Sequence, residues 1–345
     1  MKVEKKPVRK GRRGGGGMTL ADVARLAGVS PITVSRAINT PQQLTADTLQ
    51  KVQAAVARTG YVPNRLAGGL ASNRSRLVFA IVPTVASPVF LETVQALTST
   101  LEEAGYEVVL GQSGYDGRRE NELLDAIIGR RPDGVIHVGI IHSKEGRRRL
   151  TAAGIPVVET WDLTPTPIDM LVGFSHEKAG AAVAEFLYSR GARRPAIISA
   201  DDYRAGLRRQ GFTEAMARLL GKGAPMPCRL VTAPTSLASG RTGLAPLLDR
   251  HPDIDAVFCS SDVIAQGALT EAQARGVAVP SQLKIMGFGD LDFAAHTHPA
   301  LTTVRVDGTA IGRQAAAFIV QRARGEPIEH RIVDLGFTVV ERAST

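Results

Sequence analysis

From Leu77 onward the chain alternates between two kinds of segment. Amphipathic stretches of helical length, such as residues 179–190, 205–220 and 263–275, lie between apolar runs of strand length. These runs cover residues 77–83, 106–111, 133–139, 155–160, 194–200, 255–261 and 283–288. Repeated strand–helix units predict parallel sheets with helices on both faces. Because about 270 residues is large for a single sheet of this kind, we expect two α/β lobes.

The segment before Leu77 has a different pattern, which indicates three short helices. Thr19 is a plausible N-cap for a helix over residues 20–27, and Gly28 suits a sharp turn after it. A longer amphipathic stretch over residues 46–59 predicts a further helix.

Between these two predicted helices, Ser30 and Pro31 indicate the start of another helix. Ser30 is an N-cap candidate, and Pro31 falls at the first helical position, where its missing N–H costs nothing. Two short helices joined by a tight turn and followed by a third indicate a helix-turn-helix unit.

The excess positive charge is confined to the beginning of the chain. Residues 1–17 contain seven basic residues (Lys or Arg) and one acidic residue (Asp or Glu), and residues 18–73 contain five basic and two acidic residues. Residues 74–345 contain 30 basic and 30 acidic residues. The net charge of +9 therefore predicts a polyanionic partner at this end. A tail that only aids solubility would explain residues 1–17 alone, whose composition suits disorder.

Other classes of protein are disfavoured by what the sequence holds. The basic start is followed by "GRRGGGG" rather than an apolar core, and no apolar run approaches ~18 residues, so neither secretion nor a membrane partner is expected. Cys228 and Cys259 lack metal-ligand spacing, and we interpret both as buried thiols in a reducing cytoplasm. No strand is followed by a nucleotide-binding glycine motif, so an enzyme of that class, a metal or another cofactor is not expected.

The second helix has side chains suited to duplex DNA. Its N-terminal residues would lie nearest the base edges of the major groove. Arg36 can donate two hydrogen bonds to guanine, while Pro31 and Ile32 offer apolar contact to a thymine methyl group. Short polar side chains suited to phosphate contacts complete the helix, namely Ser30, Thr33, Ser35 and Asn39. The alternative is an ordinary surface helix of an α/β enzyme.

Polar residues directly follow several of the apolar runs. Ser87, His142, Asp162 and Asp262 occupy such positions. In two-lobed α/β folds, ligands bind at the carboxyl ends of the strands, between the lobes. These residues therefore predict a cleft for a small polar ligand.

Two stretches near the start, "TLADVARLAGVSPITVSRAIN" and "YVPNRLAGGLA", resemble the DNA-binding head and hinge of the lactose-repressor/galactose-repressor (LacI/GalR) family. The similarity continues through "GFSHEKAG", "SSDVIAQGAL", "MGFGD" and "PALTTVRVD", and covers the chain from about residue 18 onward. The resemblance implies an all-α helix-turn-helix head, a hinge helix, and an α/β core with two lobes, similar to a periplasmic sugar-binding protein. It also implies a homodimer on a near-palindromic DNA operator. Both core lobes, including a helix over residues 311–324, would contribute to the dimer interface.

The same resemblance divides the chain and assigns roles in the head. The domains would be a disordered basic tail (1–17), the helix-turn-helix unit (18–63), the hinge (64–75) and the core (76–345). Within the core, one lobe would hold residues 76–173 and 305–333, and the other residues 174–304 and 334–345. Base-reading positions would be Pro31, Ile32 and Arg36, with backbone contacts from Thr19, Ser30, Thr33, Ser35, Asn39, Tyr61 and Asn64.

The hinge would insert Leu70 into the minor groove at the operator centre, where an apolar wedge unstacks a base step and bends the DNA. Gly68 and Gly69 depart from the family pattern, in which better helix formers are common at these positions. Each glycine costs roughly 1 kcal/mol relative to Ala in a helix. We therefore expect the hinge to fold only on DNA.

In the core, the resemblance places Asp162, Phe174, Arg208 and Asp262 at effector-contacting positions. The aromatic side chain of Trp161 or Phe90 could stack on a ligand ring or close off the cleft. Plainer alternatives stay open at several of them. Asp262 could only cap the helix that begins near residue 263, Arg208 could be solvated as Arg204 and Arg209 are expected to be, His142 could be a loop residue and Trp161 a core residue. Asp201 and Asp202 are interpreted as a solvated loop rather than an acid/base pair.

Within the family, "GYDGRRENELLDAIIGRRPDGVI", "IDMLVGF" and "DLGFT" are most similar to the gluconate-operon repressors. The function implied is a transcriptional repressor whose operator affinity is controlled by a sugar acid, gluconate or its phosphate. The resemblance suggests release from DNA on binding, but the sequence alone leaves the sign of the effect open. A regulator that responds to a neutral sugar or a nucleoside is the alternative.

Overall fold

The computed structural model of the protein describes residues 18–62, 75–115, 117–221 and 226–345. The chain forms two units, residues 1–74 and residues 75–345. The predicted tail, and the hinge apart from Ser75, lie outside the described residues, so Asn64, Leu70 and the Gly68–Gly69 pair stay predictions.

The first unit is all-α, as the sequence predicts. It contains α1 (Leu20–Ala27), α2 (Pro31–Asn39) and α3 (Ala46–Thr59). Thr19 caps α1 in a reciprocal arrangement, since its hydroxyl accepts from the Asp22 amide while the Asp22 carboxylate accepts from the Thr19 amide at 3.0 Å. Gly28 ends α1 at φ 68°. A small core of Val23, Ala24, Val34, Val52 and Ala55 holds the three helices together.

The N-cap of α2 is Ser30, with Pro31 at the first helical position. The Ser30 hydroxyl accepts a hydrogen bond from the Thr33 amide at 3.1 Å. Proline therefore starts this helix rather than breaking it, which confirms the prediction from the sequence.

The second unit contains two parallel sheets, which confirms the α/β prediction. The first sheet has six strands in the order β11–β5–β4–β3–β1–β2, all paired in parallel. Its strands are β1 (Leu77–Val82), β2 (Glu107–Gln112), β3 (Gly134–Val138), β4 (Val157–Thr160), β5 (Met170–Gly173) and β11 (Ile332–Asp334). The helices around it are α4 (Leu91–Glu103), α5 (Gly117–Ile128), α6 (Lys144–Ala153) and α11 (Gly308–Arg324).

The second sheet has four parallel strands in the order β7–β6–β8–β9. They are β6 (Pro195–Ala200), β7 (Cys228–Val231), β8 (Ala256–Cys259) and β9 (Lys284–Met286). The helices of this part are α7 (His176–Ser189), α8 (Tyr203–Leu220), α9 (Leu237–Arg250) and α10 (Asp262–Ala274). A separate antiparallel pair joins β10 (Thr303–Arg305) to β12 (Thr338–Val340). The predicted lobe boundaries stay a prediction.

One expectation about the cysteines is wrong. Cys259 lies in the interior strand β8 and is buried, and burial raises the pKa of its thiol. Cys228 is exposed, because β7 is an edge strand of the second sheet and three of its four residues face solvent.

Helices α7 and α8 approach each other through two glycines. A Cβ atom at Gly180 would lie 2.0 Å from the Arg208 carbonyl oxygen, and one at Gly211 would lie 2.0 Å from the Glu177 carbonyl oxygen. Backbone therefore packs directly on backbone here. This contact sets the position of Arg208 on α8 relative to His176 at the start of α7.

Replacing Gly180 with alanine is expected to destabilise the second unit at the upper end of the ~1–3 kcal/mol range for overpacking, because backbone cannot move aside. Gly206→Ala on α8 is the matched control, since nothing lies within 4 Å of its added Cβ. The control should gain roughly 0.5–1 kcal/mol from helix propensity. Equal melting temperatures for the two variants would contradict the close approach.

Candidate functional site

Helix α2 presents opposite faces to the core and to solvent. Val34 is fully buried, whereas Ile32 is 65% exposed. The predicted DNA-contacting residues in the described part of the first unit are exposed (Thr19, Ser30, Pro31, Ile32, Arg36, Asn39) or half-buried (Thr33, Ser35, Tyr61). The structure therefore leaves the predicted base-reading residues accessible.

Charge in the first unit is unevenly neutralised. Arg25 pairs with Asp22 at 2.8 Å, and Lys51 pairs with Asp47 at 2.7 Å. Among residues 18–62, Arg36 and Arg58 form no ion pair. The free guanidinium of Arg36 thus lies on the same helix as the exposed Ile32, which suits an anionic partner.

Some of the predicted phosphate contacts already have intrahelical partners. The hydroxyl groups of Ser30 and Thr33 lie 2.9 Å apart, and the Asn39 amide donates to the Ser35 carbonyl at 2.9 Å. Arg36 has no such partner in the described chain, so its five N–H groups are available to a ligand.

In the second unit, two neighbouring cavities lie beyond the carboxyl ends of the strands. Ser87, Phe90, Trp161 and Arg208 line the first cavity. His142 and Asp162 line the second. The second cavity encloses about 540 Å³, which is within the ~300–1,000 Å³ typical of small-molecule sites. The two cavities share the walls Tyr115, Asp202 and Arg204.

Arg208 is a buried cation held by neutral groups. One guanidinium nitrogen lies 2.8 Å from Nδ1 of His176, and another donates to the Ser260 carbonyl at 3.0 Å. Nε2 of His176 lies 2.8 Å from the Trp161 carbonyl, so this nitrogen donates and Nδ1 accepts from Arg208. Burial, and then the charge of Arg208, hold the pKa of His176 well below its ordinary value.

Burial also lowers the pKa of Arg208 to about 10, so the guanidinium is charged at neutral pH. Its Nε has no hydrogen-bond partner in the described residues. The Phe288 ring lies 4.1 Å from its central carbon and covers one face. The solvated Arg208 that the sequence left open is therefore excluded.

Arg204 lies one turn before Arg208 and lines both cavities. Its Nη1 is buried without a hydrogen-bond partner in the described residues, and its guanidinium lies 5.0 Å from the centre of the Phe90 ring. The expectation that Arg204 is simply solvated is wrong. A spacing of four residues places both arginines on one helix face, which is the signal that could have revealed the pair.

Trp161 combines the two roles that the sequence left open. It is 2% exposed and belongs to the core, yet it forms part of the first cavity wall. Its indole N–H donates to the Thr93 hydroxyl at 2.9 Å, and its ring meets Phe90 edge to face at 5.2 Å. His142, expected to be either a ligand contact or a loop residue, is an exposed wall of the second cavity in ring contact with Tyr203.

Two predicted effector residues do not line either cavity. Phe174 is fully buried in the core. Asp262 is also fully buried, and its two oxygens accept from the Thr303 hydroxyl at 2.5 Å and from the Leu291 amide at 2.8 Å. Its carboxylate therefore ties α10 to β10 and to the loop at Leu291 instead of facing a ligand. Ser261, rather than Asp262, is the N-cap of α10.

Asp201 and Asp202 are not an acid/base pair. The Asp202 carboxylate caps α8 by accepting from the Ala205 amide at 3.0 Å, while Asp201 accepts from the Ala233 amide at 2.8 Å. Asp202 nevertheless reaches both cavities. Sequence reasoning also missed Tyr115, His176, Ser260 and Phe288 as cavity walls.

A helix-turn-helix unit together with a two-lobed α/β core containing a polar cleft defines a ligand-regulated DNA-binding protein. Residues 19–64 match the model of bacterial regulatory proteins of the lacI family, and residues 184–345 match a periplasmic binding protein-like domain. No helix among the described residues is long and apolar enough to span a membrane.

Relatives agree with these matches along nearly the whole chain. The transcriptional regulator GntR of Pseudomonas aeruginosa is 39% identical over 97% of this chain and 98% of its own length. GntR of Escherichia coli is 32% identical over 93% of this chain and 96% of its own length. A LacI-family regulator from Silicibacter pomeroyi superimposes with a TM-score of 0.88 at 34% identity, over 95% of this chain and 99% of that one.

The lac repressor dimer bound to operator and to the anti-inducer ONPF superimposes with a TM-score of 0.80 at 25% identity, over 96% of this chain and 99% of that one. The chain belongs to the LacI family of bacterial regulatory proteins. It is an effector-controlled transcriptional repressor and not an enzyme.

The buried Asp262 predicts a pH dependence of stability. Burial is the main cause that raises its pKa from 3.8 to about 6. The folded state therefore binds a proton that the unfolded state releases between these values, so stability rises as pH falls from about 7 to 4, by up to about 3 kcal/mol.

Urea unfolding of the wild type and Asp262→Asn at pH 7.5 and 4.5 measures this effect, because contributions from other groups are common to both proteins. The wild type should gain stability relative to the variant at the lower pH. Asp292→Asn, at an exposed position nearby, is the control. A difference between wild type and Asp262→Asn that does not change with pH would contradict the assignment.

Proposed function

We propose that this repressor binds a near-palindromic operator as a homodimer and is released from it by a sugar acid, gluconate or a phosphate of gluconate. The observation that supports this ligand class most strongly is the pair Arg204 and Arg208. Both line the first cavity, each has a buried N–H without a partner, and neither forms an ion pair within the described residues.

The charge of these arginines favours an anion over a neutral ligand. A buried cation without a counter-ion is unstable relative to a paired one, and an Arg fork matches a carboxylate or phosphate in two hydrogen bonds. The carboxylate of a sugar acid supplies that charge, and its hydroxyl groups suit the polar walls that Ser87 and Ser260 contribute. A neutral sugar or a nucleoside would leave the guanidinium groups uncompensated.

The walls of the cleft come from both parts of the second unit, which suggests how ligand binding is transmitted. Arg208 lies on α8 beside the second sheet, whereas Phe90 and Trp161 lie in segments that follow strands β1 and β4 of the first sheet. A ligand that contacts all three binds the closed arrangement of the lobes best and so shifts the equilibrium between conformations. We propose that this shift repositions the two heads and weakens operator binding.

On DNA, we propose that α2 enters the major groove, with Arg36 on a guanine and Pro31 and Ile32 against thymine methyl groups. The exposure of these three side chains supports the assignment. Backbone contacts are proposed for the remaining predicted residues of the head, namely Thr19, Ser30, Thr33, Ser35, Asn39, Tyr61 and Asn64. The minor-groove role of Leu70 stays a prediction.

Exposed edge strands support the homodimer. β2 is the edge of the first sheet and exposes Val109 and Leu110, while β7 is the edge of the second and exposes Leu230. Unpaired strand edges with apolar side chains favour association. We propose that these edges form the interface. Helix α11 packs on α4 and buries Ile311 and Phe318, and its predicted place at the interface stays a prediction.

Arg36→Ala should weaken binding to the selected operator by the ~1–3 kcal/mol of one guanine contact, with a much smaller loss on scrambled DNA. Fluorescence anisotropy on an operator recovered from a random duplex library measures both affinities. Arg25→Ala removes the same charge from α1 and serves as the control. Parallel losses on both duplexes would show that Arg36 contacts only phosphate.

Arg208→Met and Arg204→Met should each weaken gluconate binding by roughly 10- to 100-fold, because each removes a charged hydrogen-bond donor. Both variants should still bind the operator but resist release by gluconate. Arg209→Met, on the same helix but outside both cavities, is the control. Calorimetry, preceded by a thermal-shift screen of sugar acids, neutral sugars and nucleosides, measures binding. Wild-type stabilisation by a neutral sugar but not by gluconate would overturn the ligand class.

A further inference from the structure

The second cavity contains a pair of acceptors that the proposed function does not yet use. His137 on β3 is 4% exposed, and its Nε2 lies 3.3 Å from a carboxylate oxygen of Glu120 on α5. Both residues line the cavity. Nε2 is buried and has no hydrogen-bond partner among the described residues.

The hydrogen bond on the other side of the ring decides what this nitrogen can do. Nδ1 of His137 lies 2.9 Å from the Gly139 carbonyl oxygen. A carbonyl only accepts, so Nδ1 carries the hydrogen and, in the neutral imidazole, Nε2 is an acceptor. The Glu120 carboxylate is an acceptor as well. Two acceptors therefore face the same space without a proton between them.

Such a pair is satisfied by a group with two donors close together. A vicinal diol supplies two O–H groups, one for each acceptor, whereas a second carboxylate supplies none. Unsatisfied buried acceptors are costly, which gives a diol an advantage at this wall. The nearby His142 and Ser143 add further polar groups to the wall.

We propose that Glu120 and His137 bind the hydroxyl-bearing end of the effector and so select sugar acids by chain length. The inference rests on the proposed function, in which Arg204 and Arg208 hold the carboxylate. The cavities share Tyr115, Asp202 and Arg204 as walls, so an elongated molecule anchored at the arginines extends toward the acceptor pair. A three-carbon acid anchored in the same way carries two hydroxyl groups, whereas gluconate carries five.

Glu120→Gln tests the pair directly. The glutamine amide has the size of the carboxylate but donates, so its N–H satisfies Nε2 of His137 internally and leaves no acceptor pair for a diol. The variant should melt at a higher temperature than the wild type without ligand, yet bind six-carbon gluconate roughly 10- to 100-fold more weakly. Its affinity for three-carbon glycerate should change by less than about two-fold.

The opposite signs separate this role from a structural one. A doubly protonated His137 would form an ion pair with Glu120, and Glu120→Gln would then lower the melting temperature. Glu122→Gln, on the same helix but with an exposed side chain, controls for the lost charge and should change neither quantity.

Calorimetric titrations of both acids, with competition for the weaker one, and ligand-free melting curves give the two readouts. A lowered melting temperature, or gluconate affinity equal to that of the wild type, overturns the inference. If gluconate fails to bind the wild type at all, the proposed effector is wrong, while the ligand-free melting comparison still decides whether an acceptor pair exists.

Discussion

The cleft of this repressor depends on one buried cation, the guanidinium of Arg208. It is held by the neutral imidazole of His176 and the Ser260 carbonyl, and no carboxylate in the described chain pairs with it. The close backbone contact at Gly180 and Gly211 brings α8 near α7, where this arrangement forms. The fold thus keeps a positive charge out of water while its Nε–H has no partner among the described residues, which supports the anionic effector that we propose.

The cleft also explains why a two-lobed core suits a regulator. Its walls come from both parts of the second unit, with Phe90 and Trp161 from the side of the first sheet and Arg208 and Phe288 from the side of the second. Contacts cross it, since the Arg204 guanidinium lies over the Phe90 ring and the rings of His142 and Tyr203 lie 4.6 Å apart. An effector that adds to these contacts changes the relative energies of lobe arrangements, which is the physical content of allosteric control.

Local signals in the sequence predicted the head and the sheet architecture well. Thr19, Ser30 and Pro31 begin helices through contacts within three residues, so their pattern alone was sufficient. The cleft was harder, because its residues meet only through packing. Arg204 and Arg208 look equally solvated in sequence, and the neighbours that bury them lie far along the chain. Asp262 follows a strand as a ligand-binding residue would, yet Thr303 and Leu291 occupy its oxygens. The strands β5, β7, β10, β11 and β12, each of three or four residues, were not among the apolar runs that the sequence predicted.

Trp161 has a practical consequence because it is the single tryptophan of the chain. Its indole is fixed by Thr93 and Phe90 and forms part of the first cavity wall. The intrinsic fluorescence of the protein on excitation at the red edge of its absorption therefore originates from one chromophore in the wall of the proposed effector site. The molecule contains its own optical reporter of cleft occupancy, and no dye has to be attached.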